Sequence, residues 1–103
     1  MKKELLVTIA TVILAITSST AFAATGETLF KQHCIGCHLD GGNMINPKRT
    51  LHKKDLIQQG IKNSEDIVKY MRTPGPGMTA FDAKTISDKD AKAIAEYVLK
   101  TFK

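Results

Sequence analysis

The clearest pattern of apolar and polar positions lies near the end of the chain. Ala91, Ile94, Ala95, Val98, Leu99 and Phe102 recur at i, i+3, i+4, i+7, i+8 and i+11, the stripe of an amphipathic helix. Ser87 is placed to cap it, Asp88 and Asp90 fall in its first turn, and Lys100 and Lys103 stand near its end, all where the helix dipole favours them. Tyr97 borders the stripe.

The same period, more briefly expressed, recurs upstream. Ile67, Val68 and Met71 give the apolar face of a helix capped by Asn63 or Ser64 and ended by Pro74, because the residue before a proline avoids helical geometry. Leu51 to Gln59 is a shorter helix, with Leu51 and Leu56 on its packing face and Gly60 as its stop. Gly26, Leu29, Phe30 and His33 suggest another, running from a Thr25 cap to about Cys34, with Glu27 in its first turn. No stretch alternates with a period of two, so the pattern predicts an all-α chain. Leu39 to Thr50, with Gly41-Gly42-Asn43 and Asn46-Pro47, is a loop. Thr73 to Phe81 is a second loop, stiffened by Pro74 and Pro76 and given unusual backbone freedom by Gly75 and Gly77.

Residues 1–23 have the layout of an export signal. Lys2 and Lys3 precede a twelve-residue apolar run, Leu5 to Ile16, and Ala21-Phe22-Ala23 has the small-x-small form of a cleavage site. A membrane span needs about twenty apolar residues, so cleavage after Ala23 is expected, with an uncleaved anchor as the alternative. Residues 24–103 then form one domain of eighty residues. Chains of that size bury little apolar surface and usually require a covalent or metal staple.

A staple is available in Cys34-Ile35-Gly36-Cys37-His38. Two thiols three positions apart, with a histidine after the second, form a c-type haem attachment site. Each thiol can add across one haem vinyl group, and the imidazole of His38 can supply an axial nitrogen to iron. Export supports this reading, since haem is attached to such proteins outside the energised membrane. Zinc would need two further ligands, and His33 and His52 do not have the spacing. A thioredoxin-like dithiol would need flanking strands, which the pattern lacks. His33 lies five positions before His38, about 140° round a helix, so both cannot face one iron and His33 is expected at the surface. His52 is expected on the exposed side of its helix, with bis-histidine ligation through it as the alternative. A ligating histidine requires an acceptor for its second N–H, for which a carbonyl between Asn43 and Pro47 is the candidate. Lys48 and Arg49 could approach a propionate.

The formal charge is +5, of which residues 24–103 carry +4 spread over scattered lysines. That distribution suits a solvated surface or a mildly basic face that steers acidic partners. A dense basic cluster with interleaved aromatics is lacking, which disfavours nucleic acid.

With these motifs in place, the chain resembles the class I cytochromes c, of the small monohaem bacterial and algal kind called cytochrome c6-like. Gly26-Glu27-Thr28-Leu29-Phe30 with the Cys34–His38 motif matches the family's opening. Met78-Thr79-Ala80-Phe81, forty residues after His38, matches its axial methionine segment, and Ala95-Glu96-Tyr97-Val98-Leu99 matches its closing helix. The family commonly has proline where this chain has Thr79. The resemblance implies four to five short helices wrapped around one haem c, attached through Cys34 and Cys37 and ligated by His38 and Met78. It also implies that the first and last helices cross where Gly26 and Phe30 meet Ile94 and Tyr97. Two axial ligands leave no open iron position, so the expected function is one-electron transport rather than catalysis. The carrier would be a soluble monomer without a permanent membrane anchor, in the periplasm or, in a photosynthetic host, the thylakoid lumen. It would touch its redox partners transiently. A haem-based sensor in which a gas or small ligand displaces a labile Met78 is the alternative, with Thr79 as its sequence signal.

Overall fold

Residues 25–103 are described in a computed structural model; the export signal and its cleavage site lie outside the described residues. Four helices follow in order: α1 Gly26–His33, α2 Lys53–Gln58, α3 Ser64–Arg72 and α4 Asp88–Thr101, with one 3₁₀ turn at Leu39–Gly41 between α1 and α2. No strand occurs among the described residues, so the all-α expectation holds.

Three of the helices start on the caps that their sequences predict. The side chains of Thr25, Asn63 and Ser87 accept from the amides of Thr28, Asp66 and Asp90, satisfying donors that the first turn would otherwise leave unpaired. Helix α2 differs. It begins at Lys53 instead of Leu51, because the Lys53 amide donates to the carbonyl of Phe102 and Thr50 Oγ1 accepts from His52 N. A tertiary hydrogen bond and a local turn thus replace its expected first turn. Gly60, at φ +77°, stops it as expected.

Helix α4 is the spine, packed against both α1 and α3. Its stripe supplies Ala91, Ile94, Ala95 and Val98 to a buried core with Leu29, Phe30, Leu56, Ile67 and Met71. Two further members, Ile61 and Ile86, come from loops. Ile86 immediately precedes the Ser87 cap and Ala91 is the fourth residue of the helix, the paired positions of a hydrophobic staple.

The contact between α1 and α4 depends on Gly26. A Cβ there would lie 2.8 Å from Tyr97 Cβ and nearer still to the carbonyl oxygen of Ala93, so only glycine permits this approach. The nearest atoms thus belong to Ala93 and Tyr97, with Ile94 one residue on in the buried core. Phe30 tilts against Tyr97 at 5.4 Å and against Phe102 at 5.5 Å between ring centres, and this aromatic group locks the N- and C-terminal helices together.

Candidate functional site

The turn of helix is prolonged past α1 into the motif. Cys34 N donates to Phe30 O at 2.8 Å, and His38 N donates to Cys34 O at 3.0 Å. Cys34 is left half-buried and Cys37 exposed, both as free thiols. Burial pushes the Cys34 thiol up to about 11, so it is held in its neutral form at physiological pH. That is opposite to the lowered value of a redox-active C-x-x-C thiol, and it disfavours the dithiol reading. Among the described residues no group of three or more His, Cys, Asp or Glu side chains could hold a metal ion.

Beyond the motif the backbone reverses. Asp40 takes φ +53° and Gly41 φ +77°, and the reversal brings the carbonyl of Gly42 to 2.7 Å from His38 Nδ1. A carbonyl only accepts, so Nδ1 carries the proton and Nε2 is the nitrogen left free. The acceptor is therefore one residue earlier than the Asn43–Pro47 stretch expected from sequence. The reason is the tightness of the 3₁₀ turn, which was not legible in the glycine pattern alone. Asn43 instead organises the loop itself: its Oδ1 accepts from the amides of Ile45 and Asn46, and its Nδ2 donates to Arg49 O.

An open cavity of about 220 Å³ collects these groups. Cys34, Cys37 and His38 border it from the motif, Asn43, Ile45, Asn46, Arg49, Thr50 and Leu51 from the following loop, and Pro76 to Thr79 from the other loop. Its walls are largely apolar, with Phe30, Leu56, Ile61, Ile67, Met71, Ile94 and Val98 among them. Met78, half-buried, lies on the border. Met44 is 72% exposed and is absent from the lining, while Met71 is buried in the wall.

Other assignments shift in detail. His33 is not a plain surface residue: it is half-buried at the cavity border, its ring edge-on to Phe81 at 6.0 Å. The end of α1 approaches the second loop there, which helix phase alone could not show. Arg49 borders the cavity and Lys48 does not. His52 is exposed, stands at the cap position of α2, and packs its ring edge on Phe102 at 6.0 Å, away from the cavity lining. Sequence reasoning passed over Arg72, whose guanidinium donates to the carbonyls of Phe81 at 3.0 Å and Ile86 at 2.7 Å and pairs with Asp88 at 2.7 Å. Arg72 lies in the last turn of α3, and no local pattern in the sequence points to the distant carbonyls that it holds.

The residues fit the group that the motif implies. The thiols are unpaired, one imidazole nitrogen is free because the other is bonded, and the cavity beside them is apolar. Comparison with known proteins agrees. The family described as cytochrome c oxidase, cbb3-type, subunit III matches residues 21–98. Cytochrome c6 of Microcystis aeruginosa is 36% identical over 74 residues, 72% of this chain and 90% of that relative. Cytochrome c6 of Porphyra purpurea is 38% identical over 86 residues, with 80% and 76% covered. Among solved structures, outer membrane cytochrome F of Geobacter sulfurreducens superposes with a TM-score of 0.74 at 44% identity, over 76% of this chain and 99% of that one. Cytochrome c6 of the diatom Phaeodactylum tricornutum gives 0.68 at 34% identity, over 73% and 87%. The chain belongs to the small class I c-type cytochromes. Its fold is theirs, and haem c is the cofactor of that family.

Proposed function

We propose that residues 24–103 are a soluble carrier of single electrons, exported and cleaved after Ala23, working in the periplasm or, in a photosynthetic host, the thylakoid lumen. One haem c would be attached through Cys34 and Cys37, with His38 and Met78 as axial ligands. The observation that carries this reading is that one apolar cavity gathers both thiols, the imidazole and the methionine from separate stretches of chain. When bound, the haem supplies a reversible one-electron couple whose potential methionine ligation raises.

The protein's own residues do the rest. Gly42 holds the His38 proton on Nδ1 and so keeps Nε2 free as a ligand. The apolar walls exclude water, which disfavours the more highly charged oxidised state. With His38 and Met78 both holding the haem, substrate chemistry would not be expected. No helix of the described residues is long and apolar enough to cross a membrane. The spread of lysines over residues 24–103, which carry a net +4, suits brief encounters with acidic redox proteins.

Addition of carbon monoxide to the reduced holoprotein tests the ligation. A carrier with both positions filled shows no spectral change; rapid binding supports the sensor alternative, in which Met78 is displaced. Intact mass of the exported protein, expected to equal residues 24–103 plus one haem, tests processing and attachment together.

A further inference from the structure

The loop that carries Met78 has almost no structure of its own. Residues 74–80 neither donate nor accept a hydrogen bond among the described residues. Hydrogen bonds close the loop only at its neck, while Met78 packs against the core. Thr73 N donates to Lys69 O at one end, and Phe81 N donates to Met71 O at 2.9 Å at the other. Arg72 stands inside that neck, between the Met71 carbonyl and the start of the loop. One arm of its guanidinium holds the carbonyls of Phe81 and Ile86, neither of which receives a backbone N–H among the described residues. Its other arm pairs with Asp88 in the first turn of α4. The side chain is only 21% exposed, whereas that of Asp88 is 88% exposed. The two carbonyl bonds are therefore the shielded ones, and the ion pair is the weak, solvent-screened part.

From this geometry we infer that Arg72 is a positioning residue for the methionine loop: its fork ties both strands of the neck to α4 and so sets how readily Met78 leaves its site. The inference rests on Met78 being the sixth ligand. A planar guanidinium suits this task and an ammonium does not, because three acceptors in fixed directions need a forked donor. Loss of the fork frees the loop entropy that the neck suppresses, and a competing ligand then meets less opposition from Met78.

Imidazole titration of the oxidised holoprotein, followed at the weak near-infrared iron–sulfur band, reads this directly. Arg72→Gln is expected to bind imidazole about tenfold more tightly than the wild type, the size that loss of charge-assisted hydrogen bonds commonly gives. Arg72→Lys should fall between the two. A role confined to fold stability would lower the unfolding temperature and leave imidazole affinity alone, so an unchanged affinity in folded Arg72→Gln overturns the proposal. Should that variant yield no folded holoprotein, Arg72→Lys decides by the same titration, and a wild-type affinity there overturns it equally. A wild type that itself lacks the band shows instead that Met78 is not the ligand, and the two failures are told apart by which protein loses the signal.

Discussion

His38 Nδ1 donates to the carbonyl oxygen of Gly42 at 2.7 Å, and Gly41, the residue just before Gly42 in the turn, is covered by the ring of Phe102. The last aromatic of the chain therefore supports the backbone that orients the imidazole. Gly41 has φ +77°, and a Cβ on it would come within 2.5 Å of Phe102 Cδ1. Gly41→Ala should cost about 1–3 kcal/mol through left-handed strain and overpacking together. Thermal unfolding of the holoprotein measures it, and an unchanged transition would show that the turn is not constrained as described.

Gly26→Ala tests the other close approach. The added methyl meets the backbone of Ala93 as well as Tyr97, and a backbone cannot swing aside as a flexible side chain can. The expected loss is again about 1–3 kcal/mol, read by chemical denaturation, with α1 and α4 forced apart. A neutral result would mean that the two helices slide past each other at little cost.

The methionines separate by burial. Met78→Ala should abolish the iron–sulfur band, lower the potential and open the reduced protein to carbon monoxide. Met44→Ala, at a side chain 72% exposed, should leave both band and stability nearly unchanged. Met71→Ala should keep the band and lose about 2–5 kcal/mol of stability, the usual cost of a cavity at a site 3% exposed. Loss of the band in Met44→Ala with Met78→Ala unaffected would reassign the ligand.

Acid stability should depend on Asp55. The Thr50 hydroxyl donates to its carboxylate, joined by the Thr50 amide at 3.2 Å, and these bonds hold the carboxyl below its usual value. A carboxyl lowered in the folded state stabilises the fold above its unfolded pKa of about 3.9 and loses that contribution as pH falls through the folded value. Urea unfolding at about pH 5 and about pH 3 should differ less in Asp55→Asn than in the wild type. Equal pH dependence in the two proteins would remove Asp55 from the account.

How far the chain could be read without its structure follows from range. The all-α class, the caps at Thr25, Asn63 and Ser87, the stop at Gly60 and the stripe of α4 all depend on neighbours within one or two turns. The Cys34–His38 motif is likewise local, because its chemistry requires a fixed short spacing. Contacts between distant segments were a different matter. The sequence could propose that Gly26 meets α4, but the tertiary structure decided that Ala93 and Tyr97 receive it. It also shortened α2, whose first amide is taken by Phe102 from the far end of the chain. His33 moved from surface to cavity border because Phe81 packs against it, and Arg72 became a tie across the methionine loop because the carbonyls of Phe81 and Ile86 converge on it. Periodicity and capping report which residues share one helix face; a guanidinium's choice of carbonyls nine and fourteen residues away is made only when the helices pack.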